Sequence, residues 1–342
     1  MESDVRARTA PAPASGSDLP AQAQQPILLF GMPRSGTTWL GKIFDSHPDT
    51  LYRHEPDSFG RLNFMPLAPD PAHAETWREP LERFLDEFPH VTDTKVAATL
   101  PQFPKAYLGS AALAWNAFAI RAAKLQARLG GEARARLVQP RPGRARMVWK
   151  SIESVARLGT ISRLLPGTRG ILLVRHPCGY VASVARGKRL RRFTDAESVG
   201  EDLGLLEQLC GTSTGEHYGV DPQRLRAMDP VERLAWQWVL TNDKALAETG
   251  TGGTIHVMTY EHLCADPPRA ARELFEHAGL AMQAQSERFV AASTTRHRSR
   301  YYSVFKDPLR TAHAWRDELP GDVQRAVARV TAPSRAGALF EP

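Results

Sequence analysis

A glycine-bearing loop between an apolar segment and a helix-like segment constrains this chain of 342 residues more than any other feature. The apolar residues 27–30 indicate a buried strand, and residues 40–44 indicate the start of a helix. The loop between them, GMPRSGTTW at 31–39, carries two glycines at the spacing of a nucleotide-binding P-loop. Backbone N–H groups of such a loop and the N-terminus of the following helix both direct positive charge at an anion. The sequence therefore predicts a phosphate cradle.

The charge of this loop differs from that of an ATP or GTP site. The nucleotide pattern has a lysine directly before its Ser/Thr position, and that lysine contacts the β- and γ-phosphates. Here Thr37 occupies the lysine position, Thr38 occupies the Ser/Thr position, and the available cation is Arg34 inside the loop. This arrangement favours a phosphate-bearing donor other than a nucleoside triphosphate.

Two sequence blocks together resemble the sulfotransferases that use 3′-phosphoadenosine 5′-phosphosulfate (PAPS). Residues 33–39 resemble the 5′-phosphosulfate loop of that family. Residues 171–177, ILLVRHP, followed by Ser183 eight positions after Arg175, resemble its 3′-phosphate motif. The resemblance implies a P-loop-like α/β enzyme that moves the sulfuryl group of PAPS to an acceptor hydroxyl. The second product is 3′-phosphoadenosine 5′-phosphate (PAP).

The resemblance also implies which residues bind the donor. The 3′-phosphate is assigned to Arg175, which donates as a fork, and to the hydroxyl of Ser183. The 5′-phosphosulfate is assigned to the loop residues Arg34, Ser35, Gly36, Thr37 and Thr38.

Three further residues are assigned to the donor. Trp39 stacks on the adenine, as an aromatic residue does at this place in cytosolic family members, or else packs in the helix core. Tyr260, in MTYEHL at 258–263, resembles the family's Y-E-x-L element near the adenosine, and a core position is its alternative. Lys306 is chosen among several C-terminal cations that resemble a loop closing over the donor, although the glycines of that family pattern are absent.

Glu55 is the predicted general base. It lies in RHEP at 53–56, eight residues after His47. A glutamate at this place resembles the catalytic base of tyrosylprotein and carbohydrate-type sulfotransferases. A carboxylate in a partly enclosed site can have its pKa raised to a useful value. The alternatives are that Glu55 pairs with Arg53 or caps a turn, and that His54 is the base.

Lys150, in VWKS at 148–151, completes the predicted catalytic set with Glu55 and Arg34. It resembles a lysine that some family members place on the transferring sulfuryl group, for which a compact ammonium is suited. The alternative is a snorkelling surface lysine. No metal is chemically required where cations neutralise the donor, and we predict none.

The order of the segments predicts an α/β fold. Strand-like and helix-like segments alternate, which favours a central parallel sheet with helices on both faces. Ligands of such sheets bind at the carboxyl ends of strands, where both sequence blocks lie. We predict a disordered leader at 1–25 and a single domain at 26–342, with a helical insertion at about 61–145 that covers the active site.

Composition limits the classes of partner and location. The net charge is +7, and basic residues cluster at 134–146 and 186–192, either as solvated surface or as a positive rim for an anionic ligand. The chain has no nucleic-acid-binding motif, so nucleic acid is not a predicted partner. It has no apolar run long enough to span a membrane, and its three widely spaced cysteines favour a reducing compartment. We therefore predict a cytoplasmic enzyme.

The acceptor is less constrained than the donor. The resemblance at Glu55 favours a carbohydrate or glycolipid hydroxyl, with peptide tyrosine or a small metabolite as alternatives. Two other classes of function remain open, a P-loop kinase or NTPase and a nucleotide-binding module without catalysis. The sequence does not indicate an oligomeric state.

Overall fold

The computed structural model describes most of the chain, namely residues 25–58, 60–131, 134–138, 144–189, 203–249, 254–295 and 307–340. Residues 1–24 of the predicted leader and the predicted donor ligand Lys306 lie outside the described residues. No helix among the described residues is long and apolar enough to cross a membrane.

The strands of the described residues form one parallel sheet in the order β2-β3-β1-β4-β5. These strands are β1 (Ile27–Phe30), β2 (Thr50–His54), β3 (Arg146–Ser151), β4 (Gly170–Val174) and β5 (Ile255–Thr259). The predicted α/β fold with a central parallel sheet is confirmed. The strand order places β1, which leads into the glycine-bearing loop, at the centre of the sheet, and β2 at one edge.

The centre of the sheet is buried on both faces, which explains why β1 is a continuous apolar run. Leu28 and Phe30 pack into the hydrophobic cluster on one face, and Ile27 and Leu29 pack into the cluster on the other. All four side chains have no exposed surface. The loop that follows β1 therefore starts from a strand that is held on both sides.

Helices cover both faces of the sheet, as predicted. The first half of the described chain contains α1 (Thr37–Asp45), α2 (Arg78–Glu87), α3 (Thr94–Ala97), α4 (Ser110–Arg128), α5 (Leu158–Leu164) and α6 (Pro177–Arg189). The second half contains α7 (Leu203–Cys210), α8 (Ser213–Tyr218), α9 (Pro222–Ala227), α10 (Pro230–Glu248), α11 (Tyr260–Ala265), α12 (Pro267–His277), α13 (Ala284–Thr295), α14 (Pro308–His313), α15 (Trp315–Glu318) and α16 (Gly321–Thr331). Short 3₁₀ helices lie at Pro71–Trp77, Phe88–His90, Val155–Arg157 and Gly337–Phe340. One face packs against α1, α12 and α13, and the other packs against α5, α6 and α10.

The segment at about 61–145, predicted to be an insertion, contains α2, α3 and α4 and is bonded to the edge strand β2. The buried guanidinium of Arg53 in β2 donates to the backbone carbonyls of Phe88, at 3.2 Å, and Pro89, at 2.6 Å. A guanidinium at this depth is costly unless its donors are satisfied. These bonds therefore hold the segment against the strand that leads to the predicted base.

Asp57 anchors the turn after β2 to the end of β3. Its carboxylate is completely buried and accepts hydrogen bonds from the indole of Trp149, at 3.1 Å, and from the hydroxyls of Ser151 and Ser154, at 2.5 Å each. Three donors offset the desolvation of the carboxylate. The end of β3, which carries Lys150, and the turn after Glu55 are thus fastened together.

Candidate active site

The loop after β1 turns into α1 through two residues with positive φ. Arg34 has a φ of 72°, and Gly36, the N-cap of α1, has a φ of 91°. Within the described residues no side chain caps this helix, and its first turn contains no acidic residue. The first N–H groups of α1 are therefore available to an anion without a competing carboxylate in the same turn.

The loop presents backbone more than side chains. Ser35 and Thr37 are 2% and 3% exposed, so their hydroxyls belong to the interior. Thr38, in the first turn of α1, is exposed. The N–H of Ser35 donates to the carbonyl of Met32 at 3.1 Å, so an anion would be bound by the N–H groups of the first turn of α1, where Thr38 also offers an exposed hydroxyl.

Tyr260 packs directly on the glycine of the loop. It is the first residue of α11 and is 7% exposed. A Cβ atom added at Gly36 would lie 2.4 Å from two carbons of the Tyr260 ring, which is too close for any side chain. A glycine is therefore required at position 36 for two reasons: the backbone has a positive φ, and the Tyr260 ring leaves no room for a side chain.

The structure brings the two sequence blocks into direct contact. Arg175, one residue after β4, donates from Nη1 to the backbone carbonyl of Arg34 at 2.9 Å. Arg34 in turn donates from Nε to the hydroxyl of Ser183 in α6, at 3.0 Å. Charge-assisted hydrogen bonds of this kind are stronger than neutral ones. The predicted 5′ and 3′ binding residues thus form one connected group.

Arg175 is buried, and backbone carbonyls bind two of its three guanidinium nitrogens. Nη2 donates to the carbonyl of Thr311 at 3.0 Å, and the guanidinium carbon lies 4.9 Å from the centre of the Tyr260 ring. Nε has no hydrogen-bond partner among the described residues. Buried donors nearly always have an acceptor, so Nε is the nitrogen of Arg175 that lacks one.

Trp39 occupies the core position that the sequence left as an alternative. Its side chain belongs to the hydrophobic cluster below α1 and is 8% exposed. The indole N–H donates to the hydroxyl of Ser293 in α13 at 3.0 Å. The indole is therefore held in the core, which is the alternative to stacking on adenine.

Glu55 and Lys150 meet at the ends of β2 and β3. The backbone N–H of Glu55 donates to the carbonyl of Lys150 at 2.8 Å, and the ammonium of Lys150 donates to Oε1 of Glu55. The Lys150 side chain is 1% exposed and that of Glu55 is 24% exposed. Glu55 has a φ of 53°, which is uncommon for a residue with a side chain. Lys150 is therefore not a surface lysine, and Glu55 is the member of the pair that solvent reaches.

His54 connects Glu55 to Tyr52. The Tyr52 hydroxyl lies 2.7 Å from Nδ1 of His54, and Nε2 lies 3.5 Å from Oε1 of Glu55. Burial raises the pKa of Tyr52, so its hydroxyl stays protonated and can donate to Nδ1. The ring proton then resides on Nε2 and faces the carboxylate, which can only accept.

Neighbouring charges reverse the predicted direction of the Glu55 pKa. Burial raises the pKa of this carboxyl, but Lys150 and then His54 lower it, and the net direction is below the ordinary value. The expectation of a raised pKa is therefore wrong. Burial also lowers the pKa of His54 to about 3, so its imidazole is neutral at physiological pH. Burial lowers the pKa of Lys150 too, although Glu55 opposes that shift.

Glu153 is a charged neighbour that the sequence analysis missed. Burial raises the pKa of its carboxyl, Asp57 raises it further, Arg157 lowers it, and Glu55 makes a smaller raising contribution. Its Oε1 lies 4.0 Å from Nη1 of Arg157. The available signal was its position three residues after Lys150, at the carboxyl end of a predicted parallel strand.

Comparison with known proteins gives one family and several similar structures. A family model described as the sulfotransferase family matches residues 26–284. A search of curated proteins found no match. The sulfotransferase domain from the olefin synthase of Synechococcus PCC 7002 is similar at 17% identity, over 96% of this chain and 97% of that one, with a TM-score of 0.44. A mouse sulfotransferase complexed with PAP is similar at 11% identity, over 94% of this chain and 89% of that one, with a TM-score of 0.42. A sulfotransferase from Mycobacterium avium is similar at 16% identity, over 90% of this chain and 75% of that one, with a TM-score of 0.41.

Alanine at Gly36 is expected to lower the free energy of unfolding by about 3 kcal/mol, because it adds a collision with Tyr260 to the cost of a positive φ. Gly279→Ala is the matched control, since Gly279 has a φ of 71° and a Cβ there would meet nothing within 4 Å. We expect the control to lose only about 1 kcal/mol in urea denaturation. Equal losses in the two variants would contradict the proposed role of the Tyr260 contact.

Proposed function

The chain belongs to the sulfotransferase family, and from this membership we propose that it moves the sulfuryl group of PAPS onto an acceptor hydroxyl, with Glu55 as the general base. The observation that carries the proposal is the meeting of Glu55 and Lys150 beside the loop that follows β1. Family membership sets aside the kinase and NTPase alternatives. The alternative of a binding module without catalysis is tested by turnover, as described below.

Strand register supports the proposal, because it brings the catalytic pair next to the loop. Lys150 in β3 is the parallel partner of Leu29 in β1, one residue before the strand ends. The next parallel partners are Phe30 and Ser151, and the carbonyl of Ser151 accepts a hydrogen bond of 3.4 Å from the N–H of Gly31. A donor held by the loop would therefore have its reactive end near Lys150 and Glu55.

The residues at the site fit a polyanionic donor. The uncapped N-terminus of α1 and the cations of Arg34 and Lys150 favour negative charge, and the orphaned Nε of Arg175 lacks an acceptor. PAPS would supply the sulfuryl group and carry phosphates for these donors. In the part of the chain that the structure describes, no three His, Cys, Asp or Glu side chains are grouped as metal ligands.

Lys150 links donor binding to the strength of the base. Its ammonium keeps Glu55 ionised and lowers the pKa of that carboxyl. A second anion beside Lys150 would share the ammonium and weaken its hold on Glu55, so the pKa of Glu55 would rise. The carboxylate would then be better able to accept the proton of an acceptor hydroxyl, while Lys150 stabilises negative charge on the transferring group.

His54 is better suited to position the base than to be the base. Its pKa is lowered chiefly by burial, which an incoming anion does not remove. The pKa of Glu55 is lowered by a cation whose charge a donor would share. We therefore assign proton transfer to Glu55, and assign to His54, bonded to Tyr52, the orientation of the carboxylate.

The acceptor is proposed to be a hydroxyl of a carbohydrate or glycolipid. The support is the resemblance at Glu55 to the carbohydrate and tyrosylprotein branch, and peptide tyrosine and small metabolites are the alternatives. We propose that the segment at 61–145 shapes the choice of acceptor, because it is hydrogen-bonded to the strand that leads to Glu55. A cytoplasmic location is proposed because the three cysteines are buried free thiols.

PAP is expected to raise the melting temperature of the protein, whereas ADP and ATP–Mg at the same concentration are not, because only PAP fills the 3′ and 5′ phosphate positions together. Differential scanning calorimetry measures the shift. Arg34→Ala should reduce the shift by PAP, and Arg329→Ala, an exposed arginine of α16, should leave it unchanged. A shift with ATP–Mg and none with PAP would overturn the assignment of the donor.

Replacement of the base with an isosteric amide, Glu55→Gln, is expected to lower kcat by about 10² to 10⁴-fold without abolishing the thermal shift by PAP. The assay follows PAP released from PAPS with a panel of glycolipid, tyrosine-peptide and small hydroxyl acceptors, and with water alone. Glu276→Gln, an exposed position on α12, is the matched control. Normal turnover in a folded Glu55→Gln variant would exclude Glu55 as the base.

The pH profile of kcat/KM for PAPS, with the best acceptor of that panel, reports the enzyme before it binds the donor. Its acid limb is expected below pH 4.5, since the pKa of Glu55 lies below its ordinary value of 4.5. The rate falls as the pH decreases through that pKa, because the base must be deprotonated. Lys150→Met removes the cation and leaves the burial, so the limb should move up by at least about one pH unit. Lys150→Arg keeps the cation and should keep the limb low. An acid limb at the same pH in Lys150→Met and in the wild type would contradict the proposed effect of Lys150 on the pKa of Glu55.

A further inference from the structure

Helix α4 carries an apolar stripe that faces away from the protein. Trp115, Phe118 and Leu125 of α4 and Leu129, the residue directly after it, are 50%, 61%, 57% and 81% exposed, and we call these four residues the α4 stripe. At about 100° per residue they lie within about 80° of one another around the helix axis. The Trp115 and Phe118 rings are in contact, with centroids 5.9 Å apart. The stripe therefore lies along one side of the helix.

The stripe is not the face by which α4 packs on the domain. Ile120 and Ala123, on the other side of the helix, are 4% and 3% exposed and form a small core with Ala98. Helix α4 thus has two apolar faces, of which the protein covers one. Among the described residues, exposed large hydrophobic side chains outside 100–138 occur only at Leu309 and Leu339. A concentration of this kind on one helix marks an interaction surface.

Basic residues border the stripe. Exposed Arg121 and Arg128 lie on α4 itself. The segment 134–138 is held beside the helix by hydrogen bonds from the Trp115 indole to the carbonyl of Arg136, at 3.1 Å, and between Asn116 and the backbone of Val138. The exposed side chain of Arg136 therefore lies near the apolar surface.

Acidic residues are almost absent from this part of the chain. Between residues 94 and 152 the only Asp or Glu is Glu132. A two-fold contact between two α4 stripes would therefore bring arginines of one copy against arginines of the other, without carboxylates to neutralise them. The charge of the surface selects an occupant that is both apolar and anionic.

We propose that the α4 stripe docks on a membrane surface containing anionic lipids. Trp, Phe and Leu side chains on one face of a helix, bordered by arginines, are the composition of a helix lying in the bilayer interface. The arginines would contact lipid phosphates, each adding attraction at an anionic leaflet. This docking concerns the position of the protein and does not depend on the reaction proposed above.

Co-sedimentation of the full chain with vesicles tests the proposal. Vesicles of mixed phosphatidylglycerol and phosphatidylcholine should bind the protein, and binding should weaken as salt is added. Vesicles of phosphatidylcholine alone should bind it less. The variant Phe118→Ser/Leu125→Ser/Leu129→Ser should lose at least about tenfold in affinity, because each side chain would no longer be buried in lipid. Circular dichroism checks that the variant remains folded.

The matched control is Leu309→Ser/Leu339→Ser, which removes the two exposed leucines outside the stripe and should bind vesicles as the wild type does. Arg121→Gln/Arg128→Gln should lower both the affinity and its dependence on salt. Failure of the wild type to bind anionic vesicles would overturn the proposal. A dimer in sedimentation equilibrium that the triple serine variant abolishes, without vesicle binding, would overturn it in favour of self-association.

Discussion

One buried positive charge determines the arrangement of the candidate site. The ammonium of Lys150 is almost wholly removed from water, and an ammonium at that depth requires an anion. The carboxylate that meets it is Glu55, so the same interaction stabilises the left-handed backbone at the end of β2 and keeps the carboxylate ionised. Under the proposed function, the donor competes for this charge. The state of the base then depends on whether the donor is present.

A second cation connects segments that are far apart in the chain. Arg175 follows β4, yet its two terminal nitrogens bind the carbonyls of Arg34, in the loop after β1, and Thr311, in α14. Arg34 extends the connection to Ser183 in α6. Because these groups share hydrogen bonds, the loop and the segment after β4 cannot move independently. A ligand that orders one of them reduces the entropy cost of ordering the other.

The sequence predicted the strands of the sheet better than it predicted the charge pairs and pKa shifts of the site. β1 was predicted with its observed bounds, Ile27–Phe30, because a short apolar run directly before a glycine-bearing loop has few alternatives. The pairing of Glu55 with Lys150 was not predicted, since it depends on the parallel register of β2 and β3, and therefore the direction of the pKa shift was wrong. Glu153 was missed although its position just after β3 was readable from the sequence. Trp39 remained ambiguous because its outcome depends on Ser293, which is distant in sequence.

The attachment of the segment at 61–145 has a consequence for how such an enzyme can diversify. This segment is bonded to β2, at the edge of the sheet, whereas the glycine-bearing loop follows β1 at the centre. Its first part contributes Leu81, Phe84 and Phe88 to the hydrophobic cluster that holds Leu28 and Phe30 of β1, whereas α4 packs in a small separate cluster. Diversification of this segment is therefore tolerated most easily at α4, where a change of length or sequence leaves the packing around β1 intact, and least easily in the part before α3.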